Sequence, residues 1–206
     1  GTYGLNISVT RCTNNYGQYQ FPEKVIPLFV TNLIDGAKVP LYGDGMNVRD
    51  WLHVDDHCRG IQLVAEVGAP GEFYNIGGGL ELSNKELTQK LLDACGATWE
   101  SVEYVEDRKN HDLRYSLDDA KLRAMGYAPR TTFEEGLAQT VQWYRDNESW
   151  WRPLKEKAAL AKPANAGWSS APGASSAPTC SHCYANRAGR RGRSRSSGCV
   201  ASSSTS

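Results

Sequence analysis

The chain has 206 residues and is 40% hydrophobic, enough for one ordinary core, or one core plus a disordered extension. Its formal net charge of +0 conceals a split, because residues 159–206 hold six of the 23 Lys and Arg and no acid, leaving 17 basic against 23 acidic residues in 1–158. No apolar run approaches the roughly 20 residues of a bilayer span and the amino terminus lacks a charged-then-apolar signal, so a cytoplasmic protein without a membrane anchor is expected.

Cys12, Cys58 and Cys95 lie among apolar residues in the acidic part and read as small buried thiols rather than a disulfide framework. The sequence enters a turn-and-strand pattern directly at Gly1, which reads as a piece of something longer.

In chain order, the alternation of Leu5, Ile7 and Val9 with polar residues up to Arg11 predicts a strand with one buried face. Asn14 to Gly17 reads as a turn-rich loop. A helix is predicted from Pro22 to Asp35, stopped by Gly36, with Pro27 distorting its early turns and Lys24 near its positive end. Strands follow at Val39 to Tyr42 and Val48 to Val54, joined by the Gly43-Asp-Gly45 turn. Asp55 is the expected N-cap of a helix to about Val67 with Ile61, Val64 and Ala65 facing the core.

Phe73 to Ile76 is a further strand, closed by Gly77-Gly-Gly79. Ser83 and Glu86 spell a capping box for a helix carrying Leu87, Leu91 and Leu92 and ending at Gly96. A strand at Ser101 to Val105 and a short helix at Asp118 to Met125 precede a second capping box, Thr132 with Glu135. That box opens a helix to about Asn147 on which Phe133, Leu137, Val141 and Tyr144 share one face. Such alternation of strand and helix indicates an α/β chain.

From about Leu160 Ser, Ala, Gly, Pro and Arg dominate without apolar period, so residues 159–206 read as a low-complexity tail, disordered or translated from a shifted frame. Shifted codons for Trp168 to Ala177 could encode a Rossmann-type opening, which is what suggests the frame slip.

Several blocks, taken in order, carry more information than any one alone. They are Arg11-Cys-Thr-Asn-Asn-Tyr-Gly-Gln-Tyr-Gln-Phe-Pro-Glu-Lys24, Pro40-Leu-Tyr-Gly43, Val48-Arg-Asp-Trp-Leu-His-Val-Asp-Asp-His57, Tyr74-Asn-Ile-Gly-Gly78 and Asp107-Arg-Lys-Asn-His-Asp112. Their order and spacing over residues 1 to about 157 resemble the dTDP-glucose 4,6-dehydratase family of extended short-chain dehydrogenase/reductases. The resemblance implies the carboxy-terminal part of a Rossmann-type fold, with late sheet strands and a small mixed α/β substrate domain in residues 1–158. It also implies an NAD-dependent lyase that converts dTDP-glucose to its 4-keto-6-deoxy product.

A nucleoside diphosphate sugar needs cations for its pyrophosphate and hydrogen bonds for its polar rings. By resemblance Arg49 and Arg108 are diphosphate ligands, with His111 nearby. Asn14, Lys24, Val25 and Asn84 are sugar-nucleotide contacts, Pro40, Leu41 and Tyr42 form the wall against the base, and Asn15 touches the nicotinamide cofactor. The bland rivals are a local salt bridge from Arg49 to its neighbour and plain turn chemistry for the Asn pair. Two departures from the family pattern stand out: Gln18 in place of a Pro, and Lys109-Asn110 in place of Pro-Gly.

The family's chemistry also uses a Gly-rich turn on the first strand, a Tyr-x-x-x-Lys pair and an adjacent Asp-Glu pair, and none of the three occurs in these 206 residues. Gly77-Gly-Gly79 lacks the G-x-G-x-x-G spacing. No catalytic residue is therefore assigned, and the chain alone is expected to be inactive. By the same resemblance, Leu5 to Arg11 is a late strand of a Rossmann sheet and its apolar face, with that of Phe73 to Ile76, is expected to be exposed. The family's homodimer is not carried over, because its contacts include helices outside this part.

Other readings compete. His53 and His57, four apart, and Cys180-Ser-His-Cys183 each fall short of a metal-ligand set, so no metal is expected. Arg187 to Arg195 could hold nucleic acid, although the segment lacks periodic aromatics, and nucleic acid is not expected as a partner. Alternatives within reach of the same residues are another sugar-nucleotide epimerase or decarboxylase, or a non-catalytic sugar-nucleotide-binding module.

Overall fold

Alternating apolar residues form a strand only where a partner accepts their hydrogen bonds. In the computed structural model, which describes residues 5–107 and 112–160, that condition narrows the first strand to β1 (Val9–Cys12), paired in parallel with β5 (Phe73–Ile76). Leu5, Ile7 and Val9 are exposed along one face, with Phe73, in register with Val9, beside them. The exposed apolar face expected from the sequence is thus present.

Asn14–Tyr16 is a strand, β2, and not a loop. It pairs in parallel with β4 (Val48–His53), a tertiary partner that turn-prone Asn residues do not announce. β4 is the hub of its sheet: β2 lies on one edge, and both β6 (Glu81–Ser83) and β8 (Arg114–Tyr115) pair with it. A separate parallel pair joins β3 (Val39–Tyr42) to β7 (Val102–Val105).

The helices follow their caps. α1 (Val25–Ile34) starts later than expected, with Lys24 as N-cap, so Pro27 falls in the first turn, where its missing N–H removes no intrahelical bond. It stops at Gly36, whose φ of 69° only glycine adopts freely and whose N–H returns to Leu33. α2 (Val54–Val67) is capped by His53 rather than Asp55, the imidazole Nδ1 accepting from the Asp55 N–H at 3.4 Å.

With the cap two residues earlier, the buried stripe of α2 is Asp56, Gly60 and Val64, while Ile61 and Ala65 face solvent. Asp56 goes inward because its carboxylate accepts from the backbone of Arg130 at 2.7 Å and of Thr131 at 3.1 Å. Of the three cysteines among the described residues, Cys58 is exposed on the outer side of α2, against expectation, and Cys12 and Cys95 are half-buried; none of the three forms a disulfide.

α3 (Asn84–Cys95) and α5 (Phe133–Asp146) carry complete capping boxes, Ser83 with Glu86 and Thr132 with Glu135. Their predicted apolar residues, Leu87, Leu91 and Leu92 on one and Phe133, Leu137, Val141 and Tyr144 on the other, are all buried. α4 (Ala120–Arg123) is shorter than expected, its start fixed by Asp118 Oδ1 accepting from the Ala120 N–H.

α6 (Glu148–Leu160) has no counterpart in the sequence reading. Trp151 anchors it, fully buried with Nε1 donating to the Tyr144 carbonyl at 2.7 Å, and Arg152 and Lys155 pair with Asp35 below α1 at 2.8 and 2.7 Å. Residues 159 and 160, expected to begin the low-complexity tail, instead end α6, and the rest of the tail, with its zinc-like cysteines and arginine run, lies outside the described residues. None of the described helices is long and apolar enough to cross a membrane.

Candidate functional site

The segment Gly43–Asn47 between β3 and β4 is the point where the predicted site residues begin to meet. Gly43 and Gly45 both take positive φ, 56° and 74°, which folds the chain back on itself tightly. The folded turn then lies on the start of α3, with Asn84 N–H donating to the Asn47 carbonyl at 3.0 Å and Lys85 N–H to the Gly45 carbonyl at 2.9 Å. Asn47, itself buried, donates through Nδ2 to the Asp112 carbonyl at 3.2 Å, and Val48 N–H reaches the Leu113 carbonyl at 2.7 Å.

Arg49 closes this belt. Its guanidinium donates to the Val48 carbonyl at 2.7 Å and the Asp112 carbonyl at 2.9 Å, which sets the plane of the fork while leaving the side chain half-buried. The rival local salt bridge with Asp50 is absent. Asp50 points to the other side of β4, where its carboxylate accepts from Gly78 N–H at 3.0 Å and Leu80 N–H at 2.9 Å. Burial pushes the Asp50 carboxyl up, and these N–H groups partly offset that rise.

The triple glycine owes its composition to the same crossing. A Cβ at Gly78 would stand 1.7 Å from the Trp51 carbonyl oxygen, so the loop passes β4 only as glycine. Sequence reasoning missed both Asn47 and Asp50. The Gly-Gly-Gly run was the one signal that some backbone approached closely there.

β2 distributes the two asparagines. Asn14 is in register with Trp51, two residues along β4 from Arg49, so Asn14 and Arg49 belong to one face of the sheet. Asn15 takes the opposite face, where Nδ2 donates to the Thr13 carbonyl at 3.0 Å and lies 3.1 Å from Cys12 Sγ. Its Oδ1 is buried and has no donor among the described residues.

Lys24 and Val25 open α1 and are half-buried, and the Lys24 ammonium sits 3.0 Å from Glu23 Oε1. Along β3, Pro40 and Tyr42 are half-buried, while Leu41 points into the core at 2% exposure. Leu41 therefore does not share an exposed surface with Pro40 and Tyr42. Arg108 and His111 lie outside the described residues.

The loop from Gly17 to Lys24 joins the asparagines to α1 and is held from the carboxy-terminal helices. Gln20 Nε2 donates to the Asn15 carbonyl at 2.8 Å, and the Tyr144 hydroxyl donates to the Gln20 carbonyl. Tyr19, the one described non-glycine residue with positive φ (60°), rests on Trp143 at 4.6 Å between ring centroids and meets Trp150 edge-on at 5.6 Å. Gln18, where the family pattern has Pro, uses its side chain to reach Asp55 Oδ1 at 3.4 Å.

The chain is similar to several known proteins. A dTDP-glucose 4,6-dehydratase of Streptomyces antibioticus is 62% identical over 159 residues, covering 77% of this chain and 48% of that protein. The solved structure of the dTDP-glucose 4,6-dehydratase DesIV of Streptomyces venezuelae, which carries NAD, superposes with a TM-score of 0.72 at 65% identity. It covers 74% of this chain and 48% of that one. UDP-glucose 4-epimerase of Thermotoga maritima, solved with UDP-glucose, gives a TM-score of 0.67 at 35% identity over 71% of this chain and 48% of its own. These neighbours make the fold that of an extended short-chain dehydrogenase/reductase. The chain spans about half the length of the curated relatives it matches. Residues 1–140 match the family model described as GDP-mannose 4,6 dehydratase, and the chain belongs to that family.

Proposed function

We propose that residues 1–158 are the sugar-nucleotide-binding part of an NAD-dependent dTDP-glucose 4,6-dehydratase. The observation that carries this reading is the gap in identity: 62% and 58% to dTDP-glucose 4,6-dehydratases, against 35% to a UDP-glucose 4-epimerase of similar fold. The pattern of site residues supports it.

Arg49, its plane set by two carbonyls, offers a planar fork to the pyrophosphate, and Asn14 on the same face hydrogen-bonds the sugar nucleotide. Lys24 at the start of α1 adds a point charge, with Val25 beside it and Asn84 at the start of α3. Pro40 and Tyr42, backed by Leu41, form the wall against the base, and by resemblance Arg108 is the second diphosphate ligand, with His111 nearby.

NAD, when bound, supplies reversible hydride transfer. This chain's contribution to holding it is Asn15, whose buried, unpartnered Oδ1 fits an N–H donor such as a carboxamide. The remaining residues of the reading bind and orient the sugar nucleotide and keep water from it. None supplies a proton-transfer pair, since the 206 residues hold neither Tyr-x-x-x-Lys nor adjacent Asp-Glu. The chain alone therefore binds substrate without turning it over.

Calorimetry of the 206-residue chain with dTDP-glucose, UDP-glucose and UDP-glucuronate tests the reading. Tightest binding of dTDP-glucose, weakened by Arg49→Ala, is the expected result; a clear preference for a UDP-sugar overturns it. Turnover of dTDP-glucose by the purified chain would refute its inactivity.

A further inference from the structure

The loop between the asparagines and α1 is held in a conformation that its own sequence does not favour. Asn14 and Asn15 precede it, and Lys24 and Val25 follow it. At its middle Tyr19 takes a φ of 60°, the left-handed region that a residue with a Cβ enters only at a cost. Resting on the sugar-nucleotide reading of the site, we propose that Tyr19, packed on Trp143 and Trp150, is a positioning residue that fixes this loop for binding. Helices α5 and α6 then serve the site without touching the ligand.

Burial does not explain the outlier. Tyr19 is 64% exposed, so its ring seals no core, and glycine would take the same backbone angle freely. What the ring meets is aromatic. It lies on Trp143 with centroids 4.6 Å apart and meets Trp150 edge-on at 5.6 Å, and the two indoles pack on each other at 5.1 Å. Aromatic pairs of this geometry attract beyond the area they bury, and here they tie the strained residue to the last turns of α5 and the first of α6. A strained backbone persists only where its surroundings over-determine it, and ligand clamps are among the places where it recurs.

The reversal at Tyr19 lets the next residue bond in two directions. Gln20 Nε2 reaches back to the Asn15 carbonyl at 2.8 Å, and the Gln20 carbonyl accepts from the Tyr144 hydroxyl. Pro22 follows as a buried residue, and the Lys24 N–H donates to the Phe21 carbonyl at 3.1 Å just before α1 begins. At the other end Gly17 passes Val54 so closely that a Cβ there would stand 2.6 Å from Val54 Cγ1. With both ends pinned, the torsion at Tyr19 helps to set where Lys24 stands relative to Asn14. Released from its aromatic seat, the loop would populate other conformations, and affinity falls with the fraction of chains that stay competent.

Calorimetry with dTDP-glucose and amide hydrogen exchange of the ligand-free 206-residue chain test this. Tyr19→Gly keeps access to the left-handed angle but removes the ring. Lowering the competent fraction to about a tenth would weaken dTDP-glucose binding about tenfold. Exchange should quicken at residues 20–25, the Lys24 amide above all, while the unfolding midpoint moves little, because an exposed ring is traded for a relaxed backbone. Tyr19→Phe, which keeps the ring, should match the unsubstituted chain in both readouts. Tyr19→Gly with undiminished affinity for dTDP-glucose, or with unchanged exchange at the Lys24 amide, overturns the proposal. Should the unsubstituted chain bind no dTDP-glucose while the exchange difference is present, the sugar-nucleotide reading falls and the aromatic clamp on the loop stands.

Discussion

The two hydrophobic clusters of this chain differ in how they are closed. The larger gathers residues of α1, α3, α5 and α6 and is sealed by two fully buried aromatics, Tyr144 and Trp151. The smaller, built on Leu52, Val64, Tyr74, Ile76, Leu122 and Tyr127, lies under one face of the β1–β5 pair, whose other face exposes Ile7, Val9 and Phe73. Burial stabilises in proportion to apolar area removed from water, so the chain's stability is concentrated in the first cluster. Beside the second, Asp56 adds buried polar contacts that tie α2 to residues 130 and 131.

Trp151→Ala tests the larger cluster and has the largest expected effect. It removes a fully buried indole and its bond to Tyr144, and should cost about 3–5 kcal/mol, read as a lower urea midpoint by circular dichroism. A loss below about 1 kcal/mol would mean that α6 is an accessory to the core.

Asp56→Asn comes next, because it sets an amide N–H2 against donors that now meet a carboxylate, at a cost of about 2–3 kcal/mol. Burial alone raises the Asp56 pKa, but the N–H groups of Arg130 and Thr131 and the Arg59 guanidinium outweigh it and hold the carboxyl below its usual range. A depressed acid stabilises the fold fully above its unfolded pKa and loses that contribution as pH falls through the carboxylate range. The wild-type chain should lose stability there more steeply than Asp56→Asn.

His53 acts at higher pH. Burial lowers its pKa despite Asp55 and Asp56, so the neutral imidazole caps α2. The folded state resists protonation, and stability should already fall as pH drops below the ordinary histidine value. Replacing His53 with Asn, which caps without titrating, should flatten that limb of the pH profile.

Ser83→Ala should cost about 1 kcal/mol by opening the box with Glu86 at the start of α3. Phe73→Ser sharpens the comparison from the other side. At 53% exposure Phe73 should contribute less than about 0.5 kcal/mol, while its replacement raises solubility by interrupting the exposed apolar strip. A large destabilisation would show that this face is covered in solution.

Some of this was legible in advance because its physics is local. Capping boxes at Ser83 and Thr132, the Gly36 and Gly96 stops and the apolar stripes of α3 and α5 each lie within a few residues of chain. The alternation of elements and the ordered motif blocks carried the fold class and the family for the same reason: they are patterns along one dimension.

What tertiary structure alone decided is the set of contacts between distant segments. Turn-prone Asn14 and Asn15 became a strand because β4 was there to pair with them, and strand alternation then sent the two side chains to opposite faces. The buried stripe of α2 rotated onto Asp56 because donors from 130–131, far along the chain, meet it there. Arg49 bonds to a carbonyl 63 residues away and not to its neighbour Asp50, and α6 is anchored by a tryptophan whose partner lies on α5. Residue type and spacing determine which groups are available to bond or bury. Which of them meet is settled when the folded chain satisfies its buried polar groups, and that depends on the whole of it.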